Sequence, residues 1–410
     1  MTELPSGWEQ KKFGDIFKVK YGKAIDKSLR EDSARYPVVG SAGVMTYTKI
    51  PLTSEPTIVI GRKGNVGSIQ VFKDGCYPID TTYYMHSCNE FDLDFLTHLL
   101  TSLELVKLDS STATPSLRRE DLEDVRLVIP PLPEQHKIVE ILEDHLSRLE
   151  AALADVKQAK LKAAQFRRSL LQAAFTGNLG SDGTHLMTDF PEGWEFKSLS
   201  DCLEKLKSGK KAERGWSPQC LSHPSTEENV WGVLKTTSVQ MGEFLPEHNK
   251  ELPKSLEPKS GLEVNSGDFL VTTTGPRNRC GIVCHVKITR KKLIFSGKIL
   301  RFRVNESLIL PNLLMYQLMS PEYQSILDKM KVGTSDSSVS IGNQQILDLE
   351  ILVPPLPEQH KIVEILEDHL SRLDASIALA DAMEKQSAGL RRSLLQAAFT
   401  GQLTKEVASV

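Results

Sequence analysis

The feature that most constrains this chain is an internal repeat. Residues 130–149, PPLPEQHKIVEILEDHLSRL, return unchanged as residues 354–373, and residues 167–177, RRSLLQAAFTG, return as 391–401 at the same offset of 224. The front of each half rhymes as well, Gly7-Trp8-Glu9 with Gly193-Trp194-Glu195 at an offset of 186, and Tyr21-Gly22-Lys23 roughly with Ser208-Gly209-Lys210. A period this long is no solenoid; it is one plan used twice. Because the two offsets differ by 38, the second half carries about that many extra residues between its Gly-Trp start and its Pro-Pro segment. Each half therefore reads as a variable region followed by a constant one.

The constant segment predicts a long helix. Pro131 and Pro133 stop any helix upstream, and a proline in the first turn costs nothing because its missing N–H would be unpaired there. From Glu134 the apolar positions Ile138, Leu142, His145, Leu149, Ala152, Val156, Ala159, Ala163, Phe166 and Leu170 alternate spacings of four and three. That spacing is a heptad seam facing a partner helix. The second copy repeats it as Ile362, Leu366, His369, Leu373, Ser376, Ala380, Met383, Ser387, Leu390 and Leu394. Thr176-Gly177 is the expected end of the first helix, glycine accepting the left-handed C′ position. Roughly 40 residues at about 1.5 Å each make a rod on the order of 60 Å. Antiparallel pairing of the two rods predicts a pseudo-two-fold axis, with the variable regions at opposite ends.

The variable regions read as short strands between turns: 36–39, 57–60, 68–72 and 82–85 in the first, 267–272, 281–286 and 298–304 in the second, with helices over 94–105 and 313–330. The glycine-rich turn 61–67 lacks the GxxxxGK[ST] pattern and a following helix, so a tight turn projecting Arg62 and Lys63 fits it better than a phosphate cradle. The hydroxyl-rich stretches 110–117 and 332–341 hold corresponding places before the constant segments and are candidate phosphate donors. In the strand 298–304, Lys298, Arg301 and Arg303 are candidates for one charged face, although Lys298 differs in parity from the other two.

Composition excludes more than it assigns. A net charge of −3 argues against coating nucleic acid by bulk electrostatics. No apolar run reaches a membrane-spanning length and no basic-then-apolar leader opens the chain, which predicts a cytoplasmic protein without membrane contact. The six cysteines are scattered, and Cys280 and Cys284 lack the further ligands of a zinc site. There is no HExxH, no GxSxG and no glycine-rich cofactor loop opening a helix. Ile129-Pro130-Pro131-Leu132 lacks the polar and aromatic residues of a methyltransferase Pro-Pro loop, and Glu257-Pro258-Lys259 lacks the preceding Pro-Asp of a nuclease.

The Gly-Trp starts at Gly7-Trp8 and Gly193-Trp194, the PPLPEQ segments at 130–135 and 354–359, and the LLQAAFTG segments at 170–177 and 394–401 together make the chain resemble, over nearly its full length, the specificity subunit of type I restriction-modification systems. The resemblance implies an α+β fold: two mixed α/β target recognition domains joined by two long antiparallel coiled-coil helices in a pseudo-two-fold arrangement. It implies recognition domains at 1–129 and 190–353, helical spacers at 130–179 and 354–403, a linker at 180–189 and a tail at 404–410. It implies double-stranded DNA with a bipartite site as ligand, two modification (methyltransferase) subunits as partners, and restriction or motor subunits joined through the complex. The chain would then be non-catalytic and bind no cofactor, with S-adenosylmethionine, ATP and Mg on its partners.

Base readers are expected to be Arg, Lys, Asn, Gln, Ser or Thr on loops. The candidates are Lys23, Arg62, Lys63 and Asn65 in the first domain, then Lys210, Lys211, Arg214, Arg277, Asn278, Arg279 and Lys298 in the second. Two other classes stay open: a coiled-coil scaffold without a DNA role, which a gel shift with sequence competitors separates, and a phosphate-directed enzyme resting on 61–67 alone, which turnover by the purified chain separates.

Overall fold

A computed structural model describes residues 5–86, 90–109, 114–175 and 192–407, with side chains as far as residue 404. Two helices of 44 residues, Leu132–Phe175 and Leu356–Phe399, dominate it. The chain divides into two compact units, Met1–Gln158 with Ala380–Val410, and Ala159–Leu379, so each long helix contributes to both.

The two units are built alike although their variable sequences do not align. In the first, a four-stranded antiparallel sheet runs in the order Lys20–Tyr21, Thr82–His86, Thr57–Gly61, Ile69–Phe72. Beside it, Tyr36–Gly40 pairs antiparallel with Gly43–Thr48 and parallel with Tyr77–Pro78. The second unit repeats both: Ala212–Arg214, Ile299–Phe302, Phe269–Thr272 and Val283–His285 in one sheet, and Gly232–Leu234 between antiparallel Asn249–Glu251 and parallel Leu293–Phe295 in the other. Thr57–Gly61 and Phe269–Thr272 are central and wholly buried, which is why they read as continuous β-branched and apolar runs. Part of the surplus of the second unit lies in a loop. Only Ser41 and Ala42 join the antiparallel pair of the first unit, whereas residues 235–248 join that of the second and carry a small hairpin of their own.

This register corrects one expectation. Tyr21-Gly22 is matched not by Ser208-Gly209 but by Arg214-Gly215: Gly22 donates to Thr82 O and Gly215 to Ile299 O, the first residues of equivalent strands. A Cβ on Gly22 would sit 2.1 Å from Ile79 O, and one on Gly215 2.0 Å from Phe295 O. Backbone passes too close at both for any other residue, and the Gly-Lys likeness at 209–210 is fortuitous.

Each unit is locked to the start of its long helix by the repeated motifs. Gly7 and Gly193 have φ of +82° and +88° and lie against Pro131 and Pro355. Trp8 Nε1 donates to Glu134 at 3.0 Å, and Trp194 Nε1 to Glu358 at 2.5 Å. Gln135 and Gln359, both buried, each accept from the N-cap backbone of a helix, Asp92 N at 3.0 Å and Leu310 N at 2.8 Å. Their amides donate back to Pro130 O and Pro354 O. The Gly-Trp and Pro-Glu-Gln motifs recur together because they are two halves of one joint. Next to the joint, Glu9–Lys12 pairs with Arg126–Ile129 and Glu195–Ser198 with Glu350–Val353.

Within each unit the beginning of one long helix packs against the end of the other, in antiparallel sense. Ile138 and Leu142 share a core with Leu395 and Ala398 in the first unit, as Ile362, Leu366 and Leu370 do with Leu170, Leu171 and Ala174 in the second. The same interhelical ion pair appears twice, Arg391 with Glu150 at 3.5 Å and Arg167 with Asp374. Both are exposed, so their value is orientation rather than stability.

The seam itself is shifted from expectation at eight of its twenty positions. Leu149, Val156, Leu373 and Leu394 are half-buried, and the other expected apolar positions nearest the sheets are buried. Between them, however, the inward residues are Leu146, Leu153, Leu370 and Ile377. His145, Ala152, Ala159, His369 and Ser376 are exposed, as are Phe166 (49%), Met383 (47%) and Leu390 (50%). Spacings of four-then-three and three-then-four fit a 3.5-residue period equally, and the leucines one place along win by burying more apolar surface than His or Ala. Phe166 and His369 instead meet edge-to-face at 6.4 Å on the surface. The second helix ends at Phe399, with Gly401 at φ +72°; Thr176-Gly177 and the linker 180–189 lie outside the described residues.

Two further expectations change. The helix over 313–330 is two helices, Pro311–Met319 and Pro321–Lys329, because Ser320 precedes a proline, turns extended (ψ 151°) and caps the second by accepting from Tyr323 N. The charged face of 298–304 does not form. Arg301 is 5% exposed, pairs with Glu213 and with Asp268 at 3.5 Å, and Asp268 also takes Arg303 Nε at 2.6 Å. Shared parity points both arginines into one buried ionic knot, while Lys298 is exposed.

Candidate nucleic-acid interface

The turn linking Thr57–Gly61 to Ile69–Phe72 is closed by backbone hydrogen bonds, within itself and to the neighbouring segments. Gly61 N donates to Ser68 O, Gly67 N to Gly61 O, Lys63 N to Thr81 O and Gly64 N to Pro115 O. With those N–H groups committed, the turn is no phosphate cradle, and its chemistry lies in its side chains. Lys63 and Asn65 are exposed, as is Lys23 beside Gly22. Arg62 does not project freely. Its guanidinium lies 5.1 Å from the centroid of Tyr21 and 5.8 Å from that of Tyr83, and Nη1 donates to Asp80 O at 3.0 Å. Tyr21 and Tyr83 meet edge-to-face at 5.0 Å, and Tyr83 Oη donates to Leu117 O at 3.1 Å. Burial, with Tyr21 beside it, pushes the Tyr83 phenol up to about 12. It stays a neutral platform for the cation above it.

The turn is continued by the segment that precedes the constant region. Leu117 N donates to Arg62 O at 2.8 Å, and Lys63 bridges to Ser116. Two residues on, Arg119 opens the short helix Arg119–Glu123 and pairs with Glu123 at 2.6 Å. The hydrogen bond to Glu123 holds the Arg119 guanidinium above its ordinary pKa, with smaller contributions from Tyr21 and Tyr83. Tyr21 and Arg119 belong to the site although sequence reasoning did not select them. The pair Arg118-Arg119 was the available signal; for Tyr21, 47% exposed at the edge of a sheet, there was none.

The second unit uses the same frame with other side chains. Its turn, 273–281, includes the strand Thr274–Gly275, which pairs with Ser338–Ser340 of the hydroxyl-rich segment. Arg277 is held by Asp336 at 2.8 Å and Asp328 at 3.5 Å. Arg279 donates to Gln240 Oε1, Thr236 O and Val239 O at 2.8–2.9 Å and so ties the small hairpin to the sheet. Lys211 donates to Ser200 O at 2.7 Å, another structural bond. Lys210, Asn278 and Lys298 are exposed, and Arg214, also exposed, donates Nε to Asn343 Oδ1 at 2.8 Å. Other basic residues of this unit are likewise tied to its own backbone, Arg290 binding Ser225 O and Val230 O and Lys292 binding Asn229 O.

The arrangement offers planar cations and amides at a sheet edge rather than a reacting centre. Among the described residues no group of three His, Cys, Asp or Glu could hold a metal ion. Burial pushes the Cys76 and Cys284 thiols up to about 12 and Cys202 to about 11, far from the range of a nucleophile.

The family described as Type I restriction modification DNA specificity domain matches residues 5–158 and 191–379. The chain is 33% identical to the EcoEI specificity subunit of Escherichia coli over 52% of its own length but only 34% of that protein. It is 26% identical to the E. coli EcoBI specificity subunit, covering 78% of this chain and 67% of that one. Against the MjaVIII specificity subunit of Methanocaldococcus jannaschii identity is 23%, covering 98% and 94%. Among solved structures, a chain of a type I R-M system superposes with a TM-score of 0.74 at 17% identity, covering 98% of this chain and all of that one. The HsdS subunit of Thermoanaerobacter tengcongensis gives a TM-score of 0.55 at 17% identity, covering 98% of each. These last two likenesses speak for the fold.

Proposed function

Because the chain belongs to the family of type I restriction modification DNA specificity domains, we propose that it is the sequence-reading, non-catalytic subunit of a type I restriction-modification complex. Each unit reads one half of a bipartite DNA site, and the long helices set the spacing of the halves and dock two modification subunits. Restriction or motor subunits join through those partners. S-adenosylmethionine is then used by the modification subunits, and ATP and Mg by the motors. The site of action is the cytoplasm, where the DNA is; among the described residues no helix is long and apolar enough to cross a membrane.

The observation that carries this reading is a duplicated joint under two different faces. The Trp–Glu and Gln contacts that fasten a sheet to its helix are the same in both units. The side chains on the equivalent turns are not, the first carrying Arg62 and Lys63 where the second has Thr273 and Thr274. Identical joints suit identical partners, and differing faces suit different half-sites. The net charge of −3 fits a subunit whose hold on the phosphates is shared with its partners.

Mapping modified adenines in cells that express the modification subunits with and without this chain tests the reading. The expected result is a single split motif, methylated only when the chain is present. Methylation that is absent, or indifferent to the chain, would sink it.

A further inference from the structure

The two units can be superposed residue by residue through their hydrogen bonds, and doing so isolates one surface. Arg62 N donates to Thr81 O and Arg62 O accepts from Leu117 N; in the second unit Thr273 N donates to Lys298 O and Thr273 O accepts from Ile341 N. Gly61 faces Thr82 across the sheet as Thr272 faces Ile299, and Tyr21 faces Tyr83 as Arg214 faces Leu300. Leu117 and Ile341 each lie two residues before the first residue of a short helix, Arg119 and Asn343. Four positions therefore coincide. They hold Tyr, Arg, Tyr and Arg in the first unit and Arg, Thr, Leu and Asn in the second.

We infer that these four matched positions form the base-reading slot of each unit, Arg62 reading a guanine of one half-site and Arg214, steadied by Asn343, a guanine of the other. The inference rests on the proposed function and adds the residues and the ligand. The backbone frame is common, so only the side chains can tell one half-site from another. In the first unit Thr273 is replaced by an arginine laid across two tyrosine rings, with one terminal nitrogen bound to Asp80 O. In the second the same place is taken by that small residue, fully buried, and the guanidinium comes instead from the neighbouring strand, fixed at Nε by Asn343. Apart from Arg119, which Glu123 holds, each unit thus brings one preorganised guanidinium to the slot, from a different position. A guanidinium so held loses little rotamer freedom on binding. The flat, two-pronged acceptor that it suits best on a DNA duplex is the O6/N7 edge of guanine in the major groove. Arg277 and Arg279, equally basic, are committed to carboxylates and to backbone carbonyls.

The test uses the full chain assembled with its modification subunits, and reads methylation rates on a library of duplexes varied one base pair at a time. Arg62→Ala and Arg62→Lys are expected to lower discrimination at one guanine of one half-site roughly 10- to 100-fold, leaving the other half-site untouched. Arg214→Ala is expected to do the same in the other half only. Arg62→Lys keeps charge and stem over the rings, so a complex that assembles normally and has lost the guanine preference supports the slot even where Arg62→Ala fails to assemble. Unchanged discrimination in these variants overturns the inference. So does an equal loss of rate on every duplex, which is the mark of a phosphate contact. If the unaltered complex methylates no split motif at all, the proposed function falls first and the slot with it.

Discussion

At the scale of single residues, the joint between sheet and helix depends on one glutamine per unit. Gln359 is fully buried and makes three bonds, accepting from Leu310 N and donating to Leu308 O and Pro354 O at 2.7–2.8 Å. Replacing it with Ala strands one N–H and two carbonyls away from water, at a cost of about 2–4 kcal/mol. Urea denaturation of Gln359→Ala against the parent chain checks this, and a loss below about 1 kcal/mol would show that the joint is held by packing alone. The residue mattered in the sequence because it was repeated, but its task was not legible there. A Pro-Glu-Gln segment says that a helix begins; that the glutamine reaches the N-cap of another helix, some 49 residues back in chain, is a tertiary fact. For the same reason the role of Arg279 in tying the small hairpin to the sheet was not legible. Its charge is plain in the sequence, and the three acceptors that consume it are not.

At the scale of elements, the long helices and the central strands were legible because pattern and burial coincide there. The phase of the helix seam was not, since a 3.5-residue period admits two alternations and the choice falls on single residues. The contrast can be measured. Leu146→Ala and Leu370→Ala, each removing a side chain about 6% exposed, are expected to cost about 2–4 kcal/mol apiece. Phe166→Ala and Met383→Ala, on half-exposed positions, are expected to cost less than about 1 kcal/mol. Thermal or denaturant unfolding of the four variants decides it, and a reversal of the two pairs would restore the seam read from spacing alone. The break at Ser320-Pro321 was signalled by the proline itself. The equivalence of Gly22 with Gly215 was not, because the close backbone approach that demands glycine depends on a strand far along the chain.

At the scale of the molecule, the account is that one plan, used twice, carries two different DNA readers on the same joint. The repeat made the plan legible from sequence, whereas the common strand order of the variable regions emerges only from their hydrogen-bond registers. The most direct measurement exchanges one reader. The region between the two halves of the joint in the first unit, residues 9–129, is replaced by the corresponding region of another family member, the chimera is expressed with the modification subunits, and modified adenines are sequenced genome-wide. The account predicts a split motif in which one half has changed to that of the donor while the other half is retained base for base. A motif altered in both halves, or in neither, would contradict it.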